Sequence, residues 1–193
     1  MYLYTLVKFI DMKKIAFILL LAAVHCSLSL NAQVTVSGKL TYFNNSSTPL
    51  KNCMVYLMNG NDTIGMYTTG TTGEYFFANV QPGTYHVKVK CNIMFGGSGG
   101  ATDALMILRH FVGLPPLLTG LKLAAADVDA SGYAGVADAL MIERRFVGQI
   151  NSFPSGNWIF ENPAIQVLNT DIIQDIKGLC FGDVNGSYIP PSY

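Results

Sequence analysis

Charge is scarce in this chain. Twelve Lys and Arg stand against twelve Asp and Glu in 193 residues, and no basic run exists that could track a phosphate backbone or an anionic membrane. Nucleic-acid and membrane-surface binding are therefore not expected. Histidine is almost as rare, with three in the chain. His86 falls on a strand pattern and His110 on a helix pattern, neither beside other soft ligands, which argues against a zinc or copper centre. The longest uncharged apolar run, Ile15 to Val24, is too short for a bilayer-spanning helix of about 20 residues. No acid, base and nucleophile converge in any stretch, so no enzyme is expected. Gly96-Gly-Ser98-Gly-Gly100 matches G-x-S-x-G formally, but it has only His110 downstream and lacks the strand-turn-helix context that motif requires.

What is present begins with an export pattern. Lys13 and Lys14 precede the apolar run, which ends in Leu30-Asn31-Ala32, so residues 1–32 read as a signal peptide, with Met12 as an alternative start. Removing Lys8, Lys13, Lys14 and Asp11 would leave nine basic against eleven acidic residues. Export permits disulfides. Cys53, Cys91 and Cys180 are an odd set, so at least one lies outside any intrachain pair. Cys53 shares parity with Val55 and Leu57, and Cys91 with Val87 and Val89, so both could equally be small buried hydrophobes.

Residues 33–91 alternate apolar and polar in short runs at 34–43, 54–58, 63–68, 74–80 and 84–90. Asn-, Gly- and Pro-rich turns separate the runs, and such spacing predicts a small β-sandwich. Within it, Gly73-Glu-Tyr75-Phe-Phe77-Ala-Asn79-Val80-Gln-Pro82-Gly83-Thr-Tyr85-His-Val87 resembles the G-x-Y-x-F…P-G-x-Y-x-V stretch of carboxypeptidase-regulatory-like domains. That resemblance implies a prealbumin-like sandwich and says little of function, since the fold hosts spacers, adhesins and sugar binders.

Beyond residue 92 the periodicity becomes helical, at 102–112 and 137–147. Asp138 to Gly148 repeats Asp103 to Gly113 with two differences, Glu143 for Leu108 and Arg145 for His110. The second copy is preceded by oxygen side chains at calcium-loop spacing: Asp127, Asp129, Ser131, the carbonyl of Tyr133 and Asp138 occupy positions 1, 3, 5, 7 and 12, with Gly132 at the turn. Hard oxygen donors point to Ca²⁺. The competing reading is a set of Asx-turns with Asp138 in the first turn of its helix. The first copy has no such loop, because counting back from Asp103 finds Asn92, Met94 and Gly96. Asp183, Asn185 and Ser187 near the end of the chain reproduce the three missing slots. A composite site of Asp103 with Asp183, Asn185 and Ser187 is therefore expected, against the alternative of a simple Asn-Gly turn.

A duplicated calcium loop leading into D-A-L-x-I-x-R, followed by Trp158-Ile-Phe160 and Gly182-Asp-Val-Asn-Gly-Ser187, is similar to the dockerin-like modules of Bacteroidetes surface proteins. The resemblance implies two pseudosymmetric loop-helix repeats (about 92–113 and 127–148, with a closing segment at 182–188). It also implies two Ca²⁺ ions and a helical face docking a cohesin-like partner, while the loops of this chain offer one Ca²⁺ site, or two if the composite site closes. On that face the duplicated Arg109, His110, Arg144 and Arg145 are the candidates. The expectation is a multidomain α+β chain, with a β-sandwich at 33–91 and an all-α dockerin-like domain at 92–193. Its function would be calcium-dependent attachment at the cell surface or in secretion, linked to polysaccharide breakdown. The alternative is an adhesive or glycan-binding protein in which calcium is structural.

Overall fold

The computed structural model describes residues 34–93 and 99–191. The expected signal peptide, Met12, and the Met94 and Gly96 slots lie outside the described residues. Five alternating stretches form β1 (Val34–Tyr42), β2 (Cys53–Asn59), β3 (Asp62–Thr68), β4 (Glu74–Val80) and β5 (Gly83–Cys91), close to the bounds their turn residues predict. In β1 the even positions Val34, Val36, Leu40 and Tyr42 are buried, as are Cys53, Val55 and Leu57 of β2. A strand puts alternate side chains on one face, and this parity fills the sandwich interior. Cys53 and Cys91 sit opposite each other on β2 and β5 and form a disulfide, while Cys180 is buried in the core.

The helical repeats are α1 (Ala101–Phe111) and α3 (Val136–Phe146), with a shorter α2 (Gly120–Ala126) between them. The region after residue 92 is not all-α, however. It also contains β6 (Trp158–Phe160), β7 (Ala164–Val167), β8 (Ile172–Ile173) and β9 (Ile176–Cys180). One sheet runs β4-β1-β9-β6, with β8 also on β1, and the other runs β3-β2-β5-β7. Strands from beyond residue 91 thus complete both sheets. The physical reason is parity: Ile165, Val167, Ile176, Leu179 and Cys180 are buried against the same interior as β1 and β2, and a five-strand sandwich alone would leave that surface wet.

A second core lies between the helices. Ala104 and Ile107 of α1 pack with their repeat equivalents Ala139 and Ile142 of α3, and with Val128 and Val184. Ile107, Ile142, Val128 and Val184 are fully buried, each worth roughly 1.5–3 kcal/mol of hydrophobic stabilisation. Helix α2 joins the two cores, because Ala125 packs into the sandwich and its neighbour Ala126 into the helical pair.

Candidate metal centre

The second repeat builds its site from one continuous loop. Ligand oxygens of Asp127, Asp129 and Asp138 lie within 4.8 Å of one another. Oxygens on opposite sides of a Ca²⁺ bound at 2.3–2.6 Å are about 5 Å apart, so the donor set and its size fit that ion. The loop is held by its own amides. Ser131 N–H donates to Asp127 Oδ1 and Asp129 Oδ1, both at 2.9 Å, and Gly132 N–H to Asp127 Oδ2 at 2.9 Å. Asp138 Oδ1 accepts the Val128 and Asp129 amides at 2.8 and 3.1 Å, while its Oδ2 accepts Gly135 N–H at 2.8 Å and caps α3. The Ser131 hydroxyl donates to the carbonyl of Tyr133 at 3.2 Å, so the position-7 oxygen belongs to the same cluster.

The first repeat finds the same frame in two distant segments. Ser187 N–H donates to Asp183 Oδ1 at 3.0 Å and to Asn185 Oδ1 at 2.6 Å, and Tyr188 N–H to Asp183 Oδ2 at 3.1 Å. Asn185 N–H reaches across to Asp103 Oδ1 at 3.0 Å, and Gly100 N–H donates to Asp103 Oδ2 at 3.0 Å, capping α1. Every one of these five bonds has its counterpart in the Asp127 loop, residue for residue. Position 4 of each loop is left-handed as well, Ala130 at φ 61° and Gly186 at φ 72°. Gly99 makes the approach geometrically feasible. Its φ is +73°, and a Cβ there would stand 2.0 Å from the carbonyl oxygen of Gly182. The four side chains line an open cleft of about 600 Å³.

Burial sets the electrostatics. Asp103, Asp138 and Asp183 are 2%, 1% and 1% exposed, and among the described residues no Lys or Arg reaches them within ion-pair distance. Desolvation raises the carboxyls of Asp103 and Asp138 above the usual range, partly opposed by the amides they accept. The half-exposed Asp129 is held below that range, chiefly by the Ser131 side chain. Buried carboxylates with hydrogen bonds but no counter-charge are costly without a cation.

The four expected docking residues separate into two pairs. Arg109 and Arg144 are exposed, and Arg109 also donates to the carbonyl of Pro115. His110 turns inward, its Nδ1 accepting Leu118 N–H at 3.2 Å. Arg145 is half-buried, with its guanidinium 4.6 Å from the centre of the Phe153 ring. What the residue-type reasoning missed is apolar. Leu105 and Leu140 are 56% and 50% exposed, and Val112 and Val147 are 63% and 62%. Their signal was present in the sequence, because they are apolar positions identical in both repeats but off the buried Ala-Ile stripe.

No family model matches the chain, and no curated protein matches it. Among solved structures it is similar to the Bacillus anthracis TIE protein, at 10% identity over 77% of this chain, with a TM-score of 0.36. The chain spans 17% of that protein's length, and a likeness of this degree carries no argument.

Proposed function

We propose that this is an exported, non-catalytic calcium-binding protein whose helical pair attaches it to another surface protein. The observation that supports it best is the bond-for-bond match between the Asp127 loop and the Asp103–Asp183 arrangement. Turn formation alone gives no reason for a tail segment to complete a helix 80 residues earlier in the same pattern. Asp127, Asp129, Ser131, the Tyr133 carbonyl and Asp138 would hold one ion, and Asp183, Asn185, Ser187 and Asp103 a second. A bound calcium supplies the positive charge that the buried carboxylates lack. The protein's own part is to fix the oxygens with amides and to fasten the two ends of the helical region together.

With the loops fixed, α1 exposes Leu105, Arg109 and Val112, and α3 exposes the repeat equivalents Leu140, Arg144 and Val147. Exposed apolar residues with arginine, repeated on two helices that pack together, have the composition of a protein-docking surface. By the dockerin resemblance, the partner is a cohesin-like β-sandwich, and the setting is a polysaccharide-degrading assembly at the cell surface. The Cys53–Cys91 disulfide suits an oxidising compartment, and among the described residues no helix is long and apolar enough to cross a membrane.

Calorimetric titration of the chain with Ca²⁺ tests the first half: two ions are expected, with Asp138→Ala and Asp103→Ala each removing one. At 100-fold excess over Kd, each site adds about 2.7 kcal/mol, a rise in melting temperature of roughly 5–11 °C. Absence of heat, together with identical melts in chelator, ends the reading. For the second half, Leu105→Asp with Leu140→Asp abolishes calcium-dependent capture by purified cohesin domains and leaves melting unchanged. Calcium binding without any such capture, but with retention on a polysaccharide column, would transfer the function to glycan adhesion.

A further inference from the structure

The two loops differ in one respect that lies outside both. At Asp127 each carboxylate oxygen accepts one amide, Ser131 on Oδ1 and Gly132 on Oδ2. At Asp183 the same two bonds recur from Ser187 and Tyr188, and a third donor is added. The hydroxyl of Tyr42, from β1 of the sandwich, donates to Asp183 Oδ2. Tyr42 is fully buried. Its oxygen accepts the Cys180 amide at 3.1 Å, which leaves its proton directed to Asp183. Its ring is gripped edge-on by Trp158 and Tyr188, with centroids at 5.9 and 5.5 Å.

A carboxylate oxygen has two lone-pair sites. Among the described residues, Oδ2 of Asp183 has both filled, by Tyr42 and Tyr188, whereas Oδ1 has one filled, by Ser187, and one open. Asp183 is thereby oriented before any cation arrives, with Oδ1 as its free ligand atom. Among the described residues Asp127 has no such side-chain donor and keeps one open site on each oxygen. We infer that Tyr42 is a positioning residue for the composite calcium site: the sandwich, through β1, sets the orientation of Asp183 and so tunes that site alone. The inference rests on the calcium reading above. A partner that orients a metal ligand typically changes affinity 10–100-fold when removed.

The test is calcium titration of the full chain and of Tyr42→Phe, each in two backgrounds: Asp127→Ala, so that the composite site is read by itself, and Asp103→Ala, so that the Asp127 site is. Tyr42→Phe is expected to weaken the composite site about 10–100-fold and to leave the Asp127 site within about twofold. The Asp127 site therefore serves as an internal control for folding. Should Tyr42→Phe lack a cooperative melt, the wild-type chain carries the test by NMR: the Tyr42 ring signals shift with filling of the composite site and not with filling of the Asp127 site. Equal weakening of both sites overturns the proposal, since that is what general destabilisation gives. An unchanged composite affinity also overturns it while leaving the calcium reading intact. A wild-type chain that binds nothing at Asp103–Asp183 removes that part of the calcium reading, and the role of Tyr42 with it.

Discussion

Gly99→Ala places one methyl group where the helical region closes on itself. The backbone there has φ +73°, a left-handed conformation that costs a residue with a Cβ about 1–2 kcal/mol. The new carbon would also stand 2.0 Å from the Gly182 carbonyl oxygen, so the 99–100 segment and the tail must separate by more than about 1 Å to restore ordinary contact. The bond that spans this gap is Asn185 N–H to Asp103 Oδ1 at 3.0 Å. Lengthening it by that amount breaks it, leaving a buried carboxylate short of a donor at a further cost of about 1–3 kcal/mol. The expected sum is roughly 2–5 kcal/mol, measured as a fall in melting temperature of about 4–20 °C in chelator. In calcium, the variant is expected to titrate with one ion, at Asp127. Because the distances are native-state facts independent of any ion, the chelator melt is the stricter arm. A variant melting within about 1 °C of wild type and binding two ions would refute the closure argument.

Two further outcomes follow from burial and topology. In chelator, Asp103 and Asp138 titrate above their unfolded value of 3.8, so the folded state holds those protons more tightly. Their contribution to stability is full below 3.8 and is lost as pH rises through the raised folded values. Melts of Asp103→Asn with Asp138→Asn against wild type should therefore show a flatter decline with rising pH; parallel curves contradict it. With calcium present the dependence reverses, because binding requires ionised carboxylates. Separately, the Cys53–Cys91 bridge closes a separation of 38 residues, for which loop entropy gives about 4 kcal/mol. Reduction should lower the melting temperature by roughly 8–16 °C, and an unchanged melt under full reduction, checked by mass, would show that the β2–β5 ladder holds without it.

The sequence by itself determined the local elements. Alternation with Pro82-Gly83 and Asn-rich turns marked β1 to β5 within a residue or two, and the repeated Asp-Ala-Leu-Met-Ile run marked α1 and α3. Ligand spacing marked the Asp127 loop, because all its oxygens lie within twelve residues and their order alone constrains them. The composite site was legible as chemistry: Asp183, Asn185 and Ser187 supplied what Asp103 lacked. Their meeting, however, depends on contacts between chain segments far apart in sequence, which no local pattern encodes. Strands β6 to β9 escaped notice for a related reason. They are two to five residues long, too short for their own periodicity to declare them, and exist because a sheet edge awaits them. Tertiary structure alone decided which repeated residues face outward, turning His110 and Arg145 toward the protein and leaving Leu105, Leu140, Val112 and Val147 in solvent. It also brought Tyr42 to Asp183 across 141 residues. Sequence names the ligands, but only the folded chain fixes which of their oxygens remain free.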